Sequence, residues 1–557
     1  MSSLRCLINT MHNIPILLLA AVGLSGSQAM ARTVGNGGAA ADSVLLRNSA
    51  YVTDADPWLP NGNAAALTRW RSDNLSWATL RANYGYGGFV NYNESSRELR
   101  AGADVRSVYR LSKRTVGYGR ISYENAEMHN MTGSAFIAPD RYPFNIVEDS
   151  LTNAGKIHQD TYRLTGAVGV DIWQGLSLGG RVDFTAANAA KYKDLRHKNK
   201  LMGTDASFAL YWPATRWLSL GANYRYLRHS ESVAFSTYSS NDITYKSLIE
   251  YGGMMGIVEQ YSSSATNGLT TSSTERPQFY DGHGYGLQAE LRLAPGLTWT
   301  GTWKMAYLKG YYGKDTPYDI VYMRHHTHRY LFTTRLQYRA ARSLQHLNAS
   351  IENEKLRNFQ NQYRLSINEH GAQYYEYFQP LRTADKVWVN THIGYTGYFG
   401  LNGETPAWLL QGGARFAYRT LTAYNYPFYR RQHWTSTEGY LNVARNLLLR
   451  KGMLTLEGGV SYLKGKGSLY DDGAFITPSD KQTQPDEMMT FLYREHAALL
   501  APQYALRTAV QYAFIFPTTR LKTYIRADFN YRHCNAGNDW LQGTMHWNAG
   551  FTVGINF

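Results

Sequence analysis

The sequence predicts an all-β fold, a transmembrane antiparallel β-barrel of about 18 strands, with a range of about 16–20. Three observations predict it. The stretch 544–557 alternates apolar residues, from Met545 to Phe557, with small or polar ones over more positions than an ordinary globular strand occupies. Similar alternating stretches recur along the chain, and the connections between them are short and long in turn. Because a lipid-facing strand must pair along both edges, we expect these strands to close into a ring.

The composition is typical of such a barrel. The chain has 557 residues with 44 Tyr, 13 Trp and 20 Phe, enough aromatic side chains for belts at two membrane interfaces. The mean hydropathy is −0.42, and no apolar run after the N-terminus has the length of a membrane-spanning helix. The net charge of +15 is spread singly through the strands, so we expect outer-membrane lipid and lipopolysaccharide as partners and no nucleic acid.

Residues 1–29 have the pattern of a signal peptide. A basic residue precedes an apolar run over 14–24, and the small residues at 27–29 offer a cleavage site. This pattern predicts secretion and, together with the barrel, a place in the bacterial outer membrane. Cys6 would leave with the signal, so Cys534 would be alone and no internal disulfide is expected.

Residues 30–73 lack the alternation and are predicted to form a periplasmic N-terminal arm or plug, ahead of a barrel over 74–557. The segment 54–67 is a turn cluster that runs into a short helix-forming piece. Two interpretations are open, an inward plug or gate, and an arm tucked into the periplasmic mouth.

From Leu75 onward, each predicted strand is apolar on one face and polar or charged on the other. In the second strand, for example, the row from Leu99 to Leu111 alternates with Arg100, Asp104 and Arg106. Such a strand separates lipid from a wet interior. The predicted strands are 75–84, 99–111, 115–124, 161–172, 176–187, 204–212, 217–227, 284–293, 297–307, 328–338, 345–352, 387–398, 408–418, 433–443, 453–463, 504–514, 521–531 and 544–557.

The connections alternate between tight turns, such as 113–114 and 174–175, and long segments. Outer-membrane barrels have this asymmetry, with tight periplasmic turns and long external loops. It predicts an even number of strands and places both termini in the periplasm. The predicted long loops are 85–96, 126–158, 188–202, 229–283, 308–326, 355–385, 419–432, 465–502 and 532–543.

The polar row of the strands defines the predicted lumen, in which basic groups outnumber acidic ones. An open pore of this kind would favour anions or polar neutral solutes. Alternatively, opposite charges pair across the lumen, and loop 229–283 and the N-terminal arm fill it. The predicted lumen-lining residues are Arg100, Asp104, Arg106, Arg110, Arg120, Arg163, Arg181, Asp183, Arg225, Glu290, Arg292, Lys304, Arg335, Arg507, Arg526 and Asp528.

Tyrosine is concentrated in the predicted external loops. Tyr and Arg supply rigid amphipathic contact surface and are enriched at protein interfaces. We therefore expect a ligand or partner surface here, with a continuation of the aromatic belt as the alternative. The candidate residues are Tyr374, Tyr375, Tyr377, Phe378, Tyr424, Tyr426, Phe428, Tyr429 and Trp434.

Two further groups are weaker candidates for chemistry. His326 and His328 share a strand face at the spacing that could offer two imidazoles to one metal, but no third ligand is adjacent, and lipid headgroups are the alternative partner. Asp281 and His283 could form a hydrolytic pair. Since no known catalytic motif accompanies them, we expect no enzyme activity and no cofactor.

Three resemblances accompany these patterns. The strand from Asn548 through Gly550, Val553 and Ile555 to Phe557 resembles the C-terminal recognition strand of bacterial outer-membrane barrels. The segment 61–66 is similar to the Asn-Pro-Ala-Ala segment of FadL-like channels, with Ala64 in place of the proline. The whole chain resembles large plug-less outer-membrane barrels of Bacteroidota that have no assigned role.

Two functions are expected from the lumen, the loops and these resemblances. One is a channel or uptake component for a polar or amphipathic solute. The other is a non-enzymatic binding or assembly subunit, for example beside a TonB-dependent receptor or a surface lipoprotein, that docks through its Tyr-rich external loops.

Overall fold

The structure is a computed structural model that describes residues 48–59, 62–72, 74–148, 154–238, 243–263, 268–272, 276–516, 521–535 and 540–556. The predicted signal peptide, residues 30–47 and Phe557 lie outside these ranges. Within them, none of the helices has the length and apolar character needed to cross a membrane.

Eighteen strands close into an antiparallel barrel, which confirms the predicted class and strand number. The ring closes where β1 pairs with β25, from Trp77 opposite Asn556 to Tyr86 opposite Trp547. The barrel strands are β1 (Leu75–Tyr86), β2 (Arg97–Arg110), β3 (Thr115–Met131), β5 (Gly155–Trp173), β6 (Leu176–Lys191), β7 (Arg196–Trp212), β8 (Leu218–Ser236), β11 (Gln278–Ala294), β12 (Leu297–Gly313), β13 (Val321–Ala340), β14 (Ser343–Gln360), β17 (Leu381–Phe399), β18 (Trp408–Asn425), β19 (Phe428–Leu449), β20 (Gly452–Lys466), β23 (Gln503–Ile515), β24 (Lys522–Cys534) and β25 (Met545–Asn556).

Each barrel strand has an outer and an inner row of side chains because successive residues point to opposite faces. Large exposed apolar side chains such as Ile121, Leu164 and Phe551 share the outer row. The inner row carries Arg100 and Arg120, which bind carboxylates of the same row. The outer row is therefore the lipid-facing surface that the alternation predicts.

Several strands run well past the predicted bilayer span. β18 and β19 join through the turn at Tyr426 and Pro427, so the prediction of a long loop over 419–432 is wrong. Above the lipid-facing band the outer row turns polar, as at Thr422 and Arg431. The apolar alternation stops there although the hydrogen-bonded ladder continues.

At the end of the barrel where β1 begins and β25 ends, here the terminus end, residues 48–59 and 62–72 lie inside the ring and form the arm. The arm contains helix α1 (Ser49–Asp54) and a 3₁₀ helix (Ala65–Arg69). The Asn48 side chain caps α1 by accepting a hydrogen bond of 3.0 Å from the Tyr51 backbone. Apolar arm residues pack on the inner row of the barrel in one buried cluster, which includes Leu67, Trp70, Trp77, Val108 and Val116.

At the opposite end, here the loop end, three long connections fold into the ring and form the loop closure. Its centre is a four-stranded sheet in the order β22, β10, β9, β4. A hairpin of β15 and β16 stands apart from this sheet, and β21 lengthens the ladder of β19. These elements are a 3₁₀ helix (Pro139–Arg141), β4 (Asn145–Glu148), β9 (Lys246–Gly252), β10 (Met255–Gln260), β15 (Tyr363–Ile367), β16 (Gln373–Tyr377), β21 (Asp471–Ala474), β22 (Asp486–Glu487) and α2 (Met489–Leu500).

Candidate functional site

The arm is fixed first by Asp54, at the end of α1. Arg335 donates to its carboxylate at 2.8 Å and Tyr398 at 3.1 Å, and His346 Nε2 lies 3.1 Å from it. Burial alone would raise the pKa of Asp54, but the hydrogen bond from His346 and the charge of Arg335 outweigh it and lower the pKa to about 2. Asp54 is thus an ionised anchor that ties the arm to β13, β14 and β17.

A second anchor is Glu290, on the inner row of β11. Its carboxylate accepts hydrogen bonds from the Trp58 indole at 2.5 Å and from the Arg69 guanidinium at 3.3 Å. Asn63 donates to Gln288 Oε1 at 3.0 Å and to the Leu210 carbonyl at 2.9 Å. The Asn63 region, which the sequence suggested as a plug or gate, is therefore bound to β7 and β11.

Between these anchors, the arm lies directly on the barrel wall over two inner-row glycines. A Cβ at Gly179 would fall 2.2 Å from the Ala65 nitrogen, and one at Gly169 would fall 2.5 Å from the Ala64 carbonyl oxygen. Only glycine permits this approach of backbone to backbone. The run of alanines in the arm fits the same constraint.

The loop closure is held in part by Glu231, on the inner row of β8. Its carboxylate accepts from Tyr142 at 2.5 Å, from the Ile137 backbone at 2.8 Å and from Asn199 at 2.7 Å. Buried aromatic rings surround this network, including Phe144, whose ring centre lies 5.0 Å from that of Tyr312. The segment 135–146 is therefore part of the barrel interior.

A buried ion pair joins β4 of the loop closure to the barrel. Lys191 donates to Glu148 Oε1 at 2.6 Å, and both side chains are almost fully buried. Burial raises the pKa of Glu148 to about 7, although the charge of Lys191 opposes the shift. Removing either partner would leave a buried polar group without its hydrogen bonds.

The other side of the closure is tied down by arginines. Arg430 is buried and donates to Asp472 at 2.7 Å, to Glu487 at 2.6 Å and to the Gly253 carbonyl at 3.1 Å. Arg419 donates to Glu495 of α2 at 2.8 Å. Ladder pairing, apolar packing and ion pairs together hold all three long connections inside the ring.

The strand registers place the predicted lumen residues on the inner row, where most of the charges are paired with each other. Arg335, Glu290 and Arg110 bind the arm. The other ion pairs connect neighbouring positions and leave little net charge along that part of the wall. They are Arg100 with Glu98 and Glu124, Arg106 and Arg120 with Asp104, Arg181 with Asp183, Arg225 with Asp205, Arg292 with Glu290, and Arg526 with Glu457 and Asp528. Lys304 lies on the same row of β12.

Arg163 and Arg507 differ from these arginines. Both are exposed to the interior, and neither forms an ion pair or hydrogen bond with any residue in the described part of the chain. They line one cavity of about 770 Å³ that reaches from the middle of the barrel to the loop end. At its outer end the cavity is bordered by the exposed side chains of Glu94 and Arg532.

The wall of this cavity is amphipathic. Its polar lining includes Glu98, Arg100 and His546, and its apolar lining includes Met128 and Ile157. The segment 134–138 of the loop closure completes it, together with inner-row His197 and Asn199. The sequence does not point to this segment or to these two residues, because a loop without periodicity gives no indication of where it folds.

Only some of the residues predicted to form the loop binding surface are exposed. Trp434 and Phe428 are buried in the interior, at 2% and 7% exposure, so their assignment to an exposed binding surface is wrong. Trp434 donates to the Ser468 carbonyl at 2.8 Å. Tyr375 packs on the buried cluster of the loop closure, and Tyr424 and Tyr429 are half-buried. The exposed members are Tyr374, Tyr377, Phe378 and Tyr426.

The candidates for chemistry lie on the outer row. His326 and His328 pack against Tyr307, and His283 accepts or donates a 2.6 Å hydrogen bond with Tyr224. Asp281 accepts one of 3.1 Å from Tyr226. Over the described ranges, no three His, Cys, Asp or Glu side chains are grouped as a metal site requires.

A closed ring of eighteen strands with an apolar outer row defines a transmembrane β-barrel of the outer-membrane class. The chain belongs to the family of unknown function DUF6850, whose model matches residues 64–557.

Solved structures with similar folds include BauA, the ferric preacinetobactin receptor from Acinetobacter baumannii (10% identity, 87% of this chain and 80% of that chain, TM-score 0.39). Others are the outer membrane transporter YddB from Escherichia coli (8%, 87% and 81%, 0.38) and a mutant of the monoaromatic hydrocarbon channel TodX (11%, 90% and 94%, 0.30). Likenesses of this size identify neither a shared ligand nor a shared mechanism. No curated protein matches the sequence.

Proposed function

We propose that this protein is a non-enzymatic outer-membrane uptake component for an amphipathic anion. In this proposal the long loops face outward, both termini lie in the periplasm, and the solute enters the cavity from the loop end. The observation that carries the proposal is a pair of arginines, Arg163 and Arg507, that have no ionic partner among the described residues and line a cavity whose wall is partly apolar. A guanidinium without a carboxylate partner can bind a carboxylate, sulfate or phosphate group.

Passage through the barrel then requires the arm to move. The arm is one short segment inside the ring, and its contacts with β13, β14 and β17 converge on Asp54. Loss of that carboxylate would leave Arg335 and Tyr398 without this acceptor. In the proposal, the arm is a gate at the terminus end, and the solute binds in the cavity before the gate opens.

Conductance in planar bilayers tests the gate. We expect the wild-type protein to be mostly closed and Asp54→Ala to open at least tenfold more often. Asp281→Asn is the matched control, since it removes a carboxylate from the outer row, and it should behave as the wild type. An Asp54→Ala variant as closed as the wild type would contradict the uptake proposal.

The ligand class is tested with the double variant Arg163→Gln and Arg507→Gln, made in the open Asp54→Ala background. Anion selectivity, read from the reversal potential in a salt gradient, should shift toward cations. The variant Lys464→Gln and Lys466→Gln removes the same charge from the outer row of β20 and should leave selectivity unchanged. Equal selectivity in the Asp54→Ala protein and in both double variants would contradict an anionic solute.

A second candidate function, an assembly subunit, is favoured by the hairpin of β15 and β16. Leu365 and Ile367 of the hairpin and Phe378 just after it are 50%, 66% and 47% exposed, a concentration of apolar surface next to side chains that pack on the loop closure. Purification from native membranes in mild detergent should then bring a stoichiometric partner, and Ile367→Ser with Phe378→Ser should lose it. Retention of the partner by that variant, or its absence from the wild type, would contradict this second function.

A further inference from the structure

The outer surface carries a run of basic side chains at the loop end of β8 and β11–β14. Adjacent strands place Arg228 beside Asp281, Asp281 beside Lys309, Lys309 beside His326, and His326 beside Arg357. All five side chains lie on the outer row. Lys309 and Arg357 are exposed.

The next row toward the membrane continues the basic character. Tyr307 lies opposite His328, and His328 lies opposite Lys355. The Tyr307 ring packs 4.8 Å from the His328 ring, and Lys309 Nζ lies 5.5 Å from the Tyr307 ring centre. These contacts give the surface a fixed shape, which we name the basic rim patch: Arg228, Lys309, His326, His328, Lys355 and Arg357.

Charge is less evenly balanced in the patch than on the inner row of the barrel. In the described part of the chain, Lys309, Lys355 and Arg357 form no ion pair. Asp281 lies between Arg228 and Lys309 and accepts from Tyr226, and Asp385 lies opposite Arg357 and is engaged by Arg382 at 2.9 Å. The cations Arg228, Lys309, Lys355 and Arg357 outnumber these two carboxylates, so the patch has a net positive charge that an anion from outside the chain can neutralise.

The depth of the patch in the membrane points to the anion. Toward the terminus end, the outer rows immediately below it carry Tyr285, Tyr330 and then Leu287 and Phe332, all exposed. Aromatic residues of this kind mark the edge of the hydrocarbon, and one strand residue advances about 3.3 Å. The basic rim patch is therefore one or two rows outside the hydrocarbon, at the level of lipid phosphates.

We infer that the basic rim patch binds the phosphorylated headgroup of a membrane lipid in the leaflet at the loop end. Arg357 and Arg228 offer planar donor forks for phosphate oxygens, Lys309 and Lys355 add point charges, and the apolar rows below accept the acyl chains. A soluble polyanion would use the charges but not those apolar rows.

Native mass spectrometry of the full chain in detergent micelles tests the inference, with diphosphorylated lipid A as the probe. We expect lipid A to remain bound to the wild type, and the double variant Lys309→Ala and Arg357→Ala to bind at least tenfold more weakly. The control is Lys464→Ala with Lys466→Ala, two exposed outer-row lysines at the loop end of β20. Control binding should equal that of the wild type.

Two outcomes would overturn the inference. In one, both double variants lose lipid A equally, which would mean that binding follows total charge. In the other, inositol hexakisphosphate displaces lipid A at equal concentration, which would make the site one for soluble polyanions. Heat-dependent migration on gels verifies that each variant is folded, and Lys309→Arg with Arg357→Lys should retain most of the binding because it keeps the charge.

Discussion

The two ends of the barrel are closed in different ways. At the terminus end a single short segment lies across the mouth, held by two carboxylates, by backbone contact with two glycines and by a buried apolar cluster. At the loop end three separate connections form a common sheet with a large buried apolar cluster. The arm can leave as a unit, whereas the loop closure can open only if its sheet comes apart.

This difference shows where motion costs least. Undocking the arm exposes buried side chains such as Trp58 and Trp70 and releases the hydrogen bonds to Asp54 and Glu290. Opening the loop closure exposes a larger buried apolar cluster and also separates the strands of its sheet. Because the arm can undock as a unit and the loop closure is part of the packed interior, the barrel is suited to gating at the terminus end.

The largest effect is expected from Phe144→Ala, in the centre of the loop closure. Phe144 is fully buried between Phe136 and Tyr312. Losing a buried Phe ring typically costs about 3–5 kcal/mol, so local opening of 132–148 should become several hundredfold more frequent. Hydrogen exchange of these amides measures it. The control Phe208→Ala, on the lipid-facing row, should leave them protected, and equal exchange in both variants would contradict a packed closure.

The next effect is a pH dependence of the loop closure. The pKa of Glu148 is raised from its usual 4.5 to about 7, so the folded closure prefers the protonated carboxyl. The contribution of the protonated Glu148 carboxyl to the stability of the loop closure is complete below about pH 4.5. It is lost as the pH rises through 7, a change of about 3 kcal/mol. Exchange of 145–148, corrected for the intrinsic rate, should rise between pH 5 and pH 8. Glu148→Gln should flatten this rise, and an unchanged slope would refute it.

The arm has the opposite pH dependence. The pKa of Asp54 is lowered from its usual 3.8 to about 2, so docking is fully stabilised above about pH 4 and weakens as the pH falls toward 2. The loss amounts to about 2 kcal/mol. Hydrogen exchange of amides in 49–59 should therefore increase in acid, whereas exchange of the loop-closure amides should not. An arm that loosens at high pH would reverse this contrast.

The same contrast separates what the sequence predicted from what it did not. The number of barrel strands was predictable because each strand touches lipid with one row and therefore alternates, as at Leu99–Leu111. β9, with consecutive buried residues from Ser247 to Gly252, has no such row because both of its faces pack against protein. The charged residues predicted the inner row. They did not predict the cavity, because the shape of the cavity depends on where the segment 134–138 folds.

The smallest effect, and the sharpest comparison, uses two neighbouring glycines of β6. A Cβ at Gly179 would meet the Ala65 backbone nitrogen at 2.2 Å, whereas a Cβ at Gly180, on the outer row, meets nothing within 4 Å. Gly179→Ala should weaken arm docking by about 1–2 kcal/mol because the arm must shift, and Gly180→Ala should not. Cross-linking yield between cysteines introduced at 63 and 288 reads the docked state. Because both changes add one methyl group to the same strand, equal yields would show that the arm does not rest on this wall.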